Sequence, residues 1–449
     1  MSRLAPHLPN ALTITLWDFT WYTRTGPGEP FEDLDAAFAA AVARGYNTVR
    51  VCAMPFLLFR SGVPTGSLRL GPLGGDVGQG MRWYDVKEET TIDAREHLLE
   101  LFRAADRHDC YVIASSWEYQ QSASFALEKA WWEALAAVDP EERAELLAEA
   151  QADLVDLLVA EGLDHRLAFT ELHNEVQVGY LTDGLPAARG DAAARELRPR
   201  LERGVAAFRA RHPERPVGIS YGGVPAGAMS GIPEDLDVLV VHPYVYGTLG
   251  ELVETYGLRR PVAEFDEALV RRDLLRPGAP GIGSWDLPAQ DAWRLDATIV
   301  QRAEMYVHDW ADAEAFDRWL YEHYGEHRRA MADRLTLWCD VAADWARAHD
   351  AALVLGEGWV GYTPLAGTFE EGPVGAEICR DAIATASRVG AWGTVVCSNA
   401  APHHPMWSDV ELQQDCTAAF VAGGSRGSDG GDGTESHTTA PKAARRETS

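Results

Sequence analysis

Two glutamates occupy matching positions in this chain, and each ends a short, mostly apolar run that follows an amphipathic helix pattern. Glu175 closes the run 167–175, and Glu357 closes the run 352–357. A glutamate at the C-terminal tip of a parallel strand points into the shared mouth of an α/β barrel. The two carboxylates could therefore meet at one bond, although they are far apart in sequence.

Paired carboxylates suit the hydrolysis of a glycosidic bond. One carboxylic acid protonates the leaving oxygen, while a second carboxylate attacks or stabilises the anomeric carbon. A separation of ~5–5.5 Å gives net retention at that carbon and a wider gap gives inversion, but the sequence sets no distance. Asn174 directly precedes Glu175, and its amide could bind a sugar 2-hydroxyl in the transition state.

Strand and helix patterns alternate along the chain, and this alternation positions the two glutamates. Eight repeats of strand then helix predict an α/β protein, a single parallel (β/α)8 TIM barrel, because each crossover closes in the same hand. The predicted strands cover residues 12–19, 48–54, 110–117, 167–175, 217–221, 236–242, 352–357 and 394–399. The principal predicted helices cover residues 33–44, 92–107, 140–161, 192–211, 329–349 and 375–389.

The length and composition favour one large domain. A chain of 449 residues with 46% apolar residues can bury a large core, so we expect a barrel domain over residues 1–422. The alternation lapses after strand six, where residues 247–328 form a predicted insertion that could lid or wall the cleft. The Gly/Ser/Thr/Asp-rich end predicts a disordered tail over 423–449, and the stretch 71–80 predicts a flexible glycine-rich loop.

Charge and cysteine usage limit the partners and the compartment. The formal net charge of −28, from 68 acidic and 40 basic residues, disfavours binding to nucleic acid and to anionic membranes. No stretch has the length of a transmembrane helix, and residues 1–10 lack the pattern of a secretory signal. The six cysteines are scattered, which favours buried, reduced thiols. We therefore expect a cytoplasmic protein, and no pattern indicates its oligomeric state.

Four motifs in order along the chain make it resemble the retaining β-glycosidases of glycoside hydrolase clan A, and most of all the cellulase-like members near family 5. The resemblance spans roughly residues 10–410. The motifs are an arginine on strand two, an Asn-Glu pair after strand four, a His-x-Tyr after strand six and a glutamate after strand seven. In this chain they are Arg50, Asn174-Glu175, His242-Pro243-Tyr244 and Gly356-Glu357-Gly358.

The resemblance implies a carbohydrate substrate, no cofactor and a role for each motif. It implies that Glu175 is the acid/base and that Glu357 is the nucleophile. It also implies that Tyr244 orients the nucleophile, that Arg50 helps to hold it ionised, and that His242 belongs to the substrate site. The resemblance thus implies hydrolysis by double displacement.

Two departures from the clan's pattern leave the substrate undefined. The usual histidine near the end of strand three is absent, and the run 115–119 stands there instead. The usual tryptophan near the end of strand eight is replaced by Trp392 before the strand and Trp407 after it. The sequence therefore does not choose among glucan, mannan, galactoside and host glycan, or between endo and exo cleavage.

Tryptophans are abundant, which suits a sugar cleft. The chain has 15 of them, and indole faces can stack on the C–H surfaces of sugar rings while excluding water. Ordinary core packing is the competing interpretation. Near predicted strand ends, or after strand eight, five tryptophans are expected to wall the cleft: Trp17, Trp21, Trp117, Trp359 and Trp407.

Other carboxylates offer rival assignments. Glu264 also ends a strand-like run, and it would be the nucleophile if that run were strand seven. Glu171 lies four residues before Glu175 and could be a buried barrel carboxylate or a partner of the site. Glu118 could be a third carboxylate in the cleft.

Two other classes of protein stay open. The first is a sugar-binding barrel without catalysis, which would keep the tryptophans but misalign the carboxylates. The second is a metal-dependent hydrolase or isomerase barrel, in which His403 and His404 could join His173 and His242 at a metal. No His-x-His or similar ligand spacing is present, so we predict no metal.

Overall fold

Eight parallel strands close into a barrel in the computed structural model, which describes residues 4–72, 86–187, 189–285, 289–361, 363 and 367–424. Each strand pairs with the next along the chain, and the last pairs with the first. The strands are β1 Leu12–Asp18, β2 Thr48–Cys52, β3 Tyr111–Ser115, β4 Leu167–Glu171, β5 Val217–Gly222, β6 Val238–His242, β7 Ala352–Leu355 and β8 Gly393–Val395. This closed parallel barrel confirms the predicted (β/α)8 fold.

Helices pack around the barrel, and their ends carry capping residues. Asp33, Asp93 and Asp312 each accept a hydrogen bond from a backbone N–H in the first turn of the helix that follows. Gly162 and Gly390 end two helices with φ angles of 71° and 74°, a conformation that glycine adopts without strain. The longer helices are Leu34–Ala43, Ala94–Arg107, Arg143–Glu161, Gly190–Arg211, Ala313–Ala348, Pro373–Val389 and Val410–Gly424.

Short elements fill the loops. A two-stranded antiparallel hairpin joins Leu68–Leu70 to Thr90–Ile92. The short α-helices are Thr20–Thr23, Pro55–Phe59, Ala130–Ala136, Gly247–Thr255, Glu267–Asp273, Trp293–Asp296 and Arg302–Trp310. The 3₁₀ turns are Ser122–Phe125, Asp164–Arg166, Tyr180–Thr182, Met229–Gly231, Val262–Glu264 and Pro405–Ser408.

Six of the eight barrel strands end earlier than predicted, among them β4, β7 and β8. β4 ends at Glu171 rather than Glu175, β7 ends at Leu355 rather than Glu357, and β8 ends at Val395 rather than at residue 399. At these points the backbone leaves the ladder and turns across the mouth of the barrel. Both glutamates therefore lie in the loops that follow the strands, just beyond the strand ends.

The segment between β6 and β7 departs furthest from the regular alternation. It ends in the 36-residue helix Ala313–Ala348. The predicted start of this helix at Arg329 is wrong, because the helix begins at the Asp312 cap and continues through Gly325. The added turns belong to the last part of the predicted insertion 247–328.

This segment is anchored on the opposite side of the barrel mouth. The backbone N–H of Ile299 donates to the Gln120 carbonyl at 3.0 Å. The hydroxyl of Tyr180 donates to the Asp296 carbonyl at 2.7 Å. Gln120 follows β3 and Tyr180 follows β4, so the chain crosses from β6 to the β3 and β4 loops before it returns in the long helix.

Two predicted segments lie largely outside the described residues. Residues 73–80 of the glycine-rich stretch and residues 425–449 of the predicted tail are outside them. Residues 423 and 424 end the helix Val410–Gly424, so a disordered tail beginning at 423 is wrong for those two positions. In the described part of the chain all six cysteines are buried and unpaired. No helix in that part is long and apolar enough to cross a membrane.

Candidate active site

Glu357 lies at the bottom of the barrel mouth, two residues after β7, with both of its oxygens bonded. Its Oε1 accepts a hydrogen bond from Arg50 Nη1 at 2.8 Å, and its Oε2 accepts one from the Tyr244 hydroxyl at 2.9 Å. The residue is only 3% exposed. Both oxygens of this buried carboxyl group are therefore held by donors, one of which is a cation.

Arg50 points from β2 into the barrel and is held by a second carboxylate. Its Nε and Nη2 donate to the two oxygens of Glu171 at 2.8 and 2.6 Å. Burial acts to lower the pKa of Arg50, but the charges of Glu171 and Glu357 outweigh it and raise that pKa. Burial likewise acts to raise the pKa of Glu171, and Arg50 overcomes it, so the pKa is lowered. Glu171 is thus a buried partner of the site, as one of the sequence alternatives proposed.

Glu175 is fixed at the mouth by hydrogen bonds from two backbone N–H groups, its own and that of Asn174. Asn174 N donates to the Ser116 carbonyl at 2.7 Å, and Glu175 N donates to Ser220 Oγ at 2.8 Å. Glu175 itself has a φ of 47°, in the left-handed region that non-glycine residues rarely adopt. Its side chain lies against Gly222, where an added Cβ would lie 2.9 Å from the Glu175 Cδ. The glycine in β5 therefore leaves the room that this carboxyl group occupies.

The environment of Glu175 differs from that of Glu357. Burial raises the pKa of Glu175 to about 7, although the Arg50 and Arg259 charges act in the opposite direction. Its side chain keeps 19% of its surface exposed. Near neutral pH this group can hold a proton, whereas both oxygens of Glu357 accept hydrogen bonds. Two carboxyl groups in different environments can serve as one acid and one base or nucleophile.

His242, the last residue of β6, lies between the two carboxyl groups. Its Nδ1 is 2.9 Å from Glu175 Oε1 and 3.6 Å from Glu357 Oε1. Burial lowers the pKa of His242 to about 4, so its ring is neutral near pH 7. Oxygens of Glu175 and Glu357 lie within 4.8 Å of each other and of a ring nitrogen. The two glutamates therefore meet beside the histidine of the strand-six motif.

Asn174 completes the polar floor. Its Oδ1 accepts a hydrogen bond from Arg50 Nη2 at 2.6 Å, and its Nδ2 donates to Gln120 Oε1 at 3.0 Å. The amide has a second N–H, which stays available for a ligand in the cleft.

A cleft of about 390 Å³ opens above these groups. Its walls come from the barrel loops and from the segment between β6 and β7. The lining residues are Trp117, Gln120, Gln121, Asn174, Glu175, Val178, Arg189, Gly222, Gly223, Tyr244, Tyr246, Arg259, Ile299, Val300, Gln301, Glu304, His308, Trp338 and Glu357. This volume lies within the usual range of small-molecule sites.

One of the five predicted wall tryptophans lines the cleft. Trp117 does so, and the Arg50 guanidinium lies 4.7 Å from its ring centroid. Trp17 is wrong as a wall residue, because it points outward from β1 and packs edge-on against Phe31 and Phe38. Trp21 is also wrong, since its ring is fully buried and stacks on His97 at 5.1 Å.

The two C-terminal tryptophans are structural as well. Trp359 is 1% exposed, and its indole N–H donates to the Val396 carbonyl at 2.5 Å. Trp407 stacks on Tyr46 at 6.0 Å, with the Arg44 guanidinium 4.1 Å from its ring centroid. Neither lines the cleft. A position near a strand end therefore does not predict whether a tryptophan packs in the core or lines the cleft.

The rival carboxylates lie elsewhere. Glu264 is exposed in the 3₁₀ turn Val262–Glu264, outside the barrel strands, so it is not placed to be the nucleophile. Glu118 is buried and accepts hydrogen bonds from the backbone N–H groups of Phe56 and Leu57 at 2.8 and 2.7 Å. It holds the loop after β2 and is not a cleft carboxylate.

The four histidines of the alternative metal site do not converge. His173 Nε2 accepts a hydrogen bond from Tyr119 N, and His404 Nε2 lies 3.1 Å from Glu371 Oε1. His242 alone of the four reaches the cleft floor. A cation between His242 and the two glutamates would lie close to the buried Arg50 guanidinium, which is repelled by any further positive charge.

The structure adds residues that the sequence predictions missed. Asp18 ends β1 with a φ of 38°, and its Oδ1 accepts from Phe19 N at 2.6 Å. Burial raises the pKa of Asp18 to about 8, and the charge of Glu357 adds to that rise. Asp18 carries the same signal as the two glutamates, an acidic side chain at a strand end. Arg259 and Trp338 also line the cleft, but no local pattern marked them.

The barrel and this carboxylate pair define a class of proteins, the cellulase-like (β/α)8 barrels. The family described as sugar-binding cellulase-like matches residues 14–420, so the chain belongs to the cellulase-like family. This membership confirms the clan A resemblance seen in the four motifs. No curated protein matches the chain.

The chain is similar to several solved structures at low sequence identity. A Parabacteroides distasonis protein, described provisionally as a glycoside hydrolase, superimposes with a TM-score of 0.65 at 19% identity, covering 91% of this chain and 93% of that one. A family 5 xyloglucanase from Paenibacillus pabuli gives a TM-score of 0.44 at 13% identity, with 92% and 98% covered. A family 5 glycoside hydrolase from Prevotella bryantii gives 0.45 at 12% identity, with 91% and 96% covered.

Proposed function

We propose that this protein is a retaining β-glycoside hydrolase that cleaves oligo- or polysaccharides by double displacement. The observation that carries the proposal is the approach of Glu175 and Glu357, whose oxygens lie within 4.8 Å of each other at the cleft floor. Retaining enzymes hold their carboxyl groups ~5–5.5 Å apart, whereas inverting enzymes leave room for a water molecule at ~6.5–9.5 Å.

The first step forms a bond between the sugar and Glu357. The carboxylate attacks the anomeric carbon, the bond to the leaving oxygen breaks, and Glu175 gives its proton to that oxygen. Arg50 and Tyr244 hold the attacking group in place through its two oxygens. Because the pKa of Glu175 is raised, its carboxyl group can supply the proton near neutral pH.

The second step releases the sugar with its original anomeric configuration. Glu175, now a carboxylate, takes a proton from water as the water attacks the anomeric carbon and the bond to Glu357 breaks. Glu357 is uncharged while it carries the sugar, so Glu175 loses a neighbouring negative charge and ionises more easily. The free N–H of Asn174 is placed to bind the sugar 2-hydroxyl in both steps.

The experiment replaces each glutamate and includes a matched control. Glu357→Ala and Glu175→Gln should each lower the turnover of an activated aryl β-glycoside by about two or more orders of magnitude with the fold intact. Glu264→Gln, in an exposed glutamate away from the cleft, should keep the wild-type rate. A wild-type rate in either cleft variant would overturn the assignment. A panel of aryl β-glucoside, mannoside and galactoside would also identify the sugar.

A second candidate is sugar binding without hydrolysis, since the family description itself names sugar binding. The cleft, with Trp117 and Tyr246 in its wall, would serve that function equally well. Calorimetry separates the two: an oligosaccharide that binds the wild type and is recovered uncleaved, with no turnover across the aryl glycoside panel, would favour the binding protein.

The remaining expectations about the cell stay predictions. The six buried, unpaired cysteines support a reducing compartment and so a cytoplasmic location. The acidic surface supports a carbohydrate partner rather than nucleic acid or an anionic membrane. Cell fractionation with a tagged full-length chain tests the location.

A further inference from the structure

The side of the cleft next to Glu175 is built differently from the side next to Glu357. Because Glu175 protonates the leaving oxygen in the proposed reaction, the leaving group must lie on the Glu175 side. On that side β5 ends at Gly222 and Gly223 follows it, so two consecutive residues carry no side chain. The floor beyond the acid/base is therefore open.

An indole ring stands beyond this open floor. Trp338 lines the cleft from the long helix Ala313–Ala348, and its Cη2 is 4.0 Å from the position of a Cβ on Gly223. A Cβ added to the preceding glycine, Gly222, would lie 2.9 Å from the Glu175 Cδ. Trp338 and Glu175 thus each lie beside one of two adjacent glycines, and both line the cleft. The half-buried ring keeps surface for a ligand.

A charged pair faces the same space. Arg259 donates from Nε and Nη2 to Glu304, at distances of 3.2–3.3 Å, and both residues line the cleft. The Arg259 guanidinium also lies 5.4 Å from the Tyr246 ring centroid. The side chains are 44% and 15% exposed, so the pair offers fixed donors and acceptors to a ligand. Donors and acceptors beside an aromatic face suit a ring that carries several hydroxyl groups.

We propose that Trp338, Arg259 and Glu304 form a binding site for the leaving-group sugar, with Trp338 as the stacking platform and the charged pair as the hydroxyl-binding group. The inference rests on the proposed hydrolase function. It assigns a role to the segment between β6 and β7, which supplies all three residues. It also places an aromatic sugar platform on the long helix rather than at the end of strand eight.

The test compares substrates that differ only in whether the leaving group is a sugar. The probes are cellobiose and lactose on one hand, and β-glucosyl fluoride and β-galactosyl fluoride on the other. A fluoride leaving group is too small to reach Trp338. Trp338→Ala should lower the ratio of kcat/KM for disaccharide over fluoride roughly 10- to 100-fold, because binding energy from the leaving sugar is used in the transition state.

A matched control lies on the same helix. Trp319 is also half-buried but stacks on His323 at a centroid distance of 3.9 Å and does not line the cleft. Trp319→Ala should leave the ratio within about twofold of wild type, and Trp338→Phe should recover much of the loss, since an aromatic face is restored. Arg259→Gln should lower the ratio in the same direction as Trp338→Ala.

The outcomes separate this inference from the proposed function. A wild type that cleaves fluorides and disaccharides, with an unchanged ratio in Trp338→Ala, overturns the inference alone. An equal loss in Trp319→Ala overturns it too, because the effect would then come from the helix. A wild type that cleaves only the fluorides shows that no leaving sugar is accepted, which also overturns it. A wild type inert toward all four probes and toward the aryl β-glucoside, mannoside and galactoside panel overturns the proposed function and this inference with it.

Discussion

The proton on Glu175 makes folding stability depend on pH, and the change to test this is Glu175→Gln. In the folded protein burial raises the pKa of this carboxyl group from 4.5 to about 7. The folded state therefore binds more protons than the unfolded state between those pH values. It follows that the stability contributed by the protonated group is fully present below about pH 4.5 and is lost as the pH rises through about 7.

The size of the effect follows from the shift. A pKa rise from 4.5 to about 7 corresponds to roughly 3 kcal/mol at most. Because 19% of the side chain is exposed, water will stabilise the charged form and reduce the figure. Glutamine is uncharged at every pH, so the stability of the variant lacks this pH-dependent contribution. The free energy of unfolding of Glu175→Gln, relative to that of wild type, should thus increase by about 2–3 kcal/mol between pH 4 and pH 8.

The assay is urea unfolding of wild type and variant at closely spaced pH values from 4 to 8. Glu264→Gln serves as the control, because that glutamate is exposed. The gain should develop between pH 4.5 and 7 for Glu175→Gln and be nearly absent for the control. Stability curves for wild type and Glu175→Gln that stay parallel within about 0.5 kcal/mol would refute the buried, protonated carboxyl group.

Four further substitutions test the site and its surroundings. Tyr244→Phe removes the donor to Glu357 Oε2 and should lower kcat about 10- to 1,000-fold in an aryl glycoside assay; an unchanged kcat would contradict its role. Gly222→Ala places a methyl group 2.9 Å from the Glu175 Cδ and should lower turnover far more than it lowers the unfolding midpoint, whereas wild-type turnover would show that the carboxyl group can move freely. Trp17→Ala should lower the free energy of unfolding by about 3–5 kcal/mol in urea, because Trp17 packs in the core. Trp117→Ala should weaken oligosaccharide binding in calorimetry and cost less stability, because Trp117 lines the cleft. The opposite pattern would show that Trp17, and not Trp117, contacts the ligand.

Most of the site residues that the sequence predicted correctly follow the C-terminal ends of parallel strands. Parallel strands deliver their following residues to one mouth, so Glu175, Glu357 and Tyr244 meet although they are distant in sequence. Arg50 was predicted only through the resemblance to clan A, and in the structure it points from β2 into the barrel and donates to Glu357. A position at a strand end could also have marked Asp18, which the predictions passed over.

Other features depend on tertiary contacts that no local pattern records. Trp17 and Trp117 both lie near strand ends, but Trp17 lies within β1 and packs against Phe31 and Phe38, whereas Trp117 lies in the loop after β3 and lines the cleft. Arg259 and Trp338 reach the cleft only because the segment after β6 crosses the barrel mouth and returns. The long helix was predicted to start at Arg329, but it runs through Gly325, where a Cβ would meet open space.

The most direct test of the central claim is to trap the sugar on Glu357. Wild type is incubated with 2,4-dinitrophenyl 2-deoxy-2-fluoro-β-glycosides of the gluco and galacto series, and the products are measured by intact mass and peptide mapping. The proposed double displacement predicts one added fluorosugar, on the peptide that contains Glu357, and no adduct in Glu357→Ala. An active enzyme that gives no adduct, or an adduct on another residue, would contradict the assignment of Glu357 as the nucleophile.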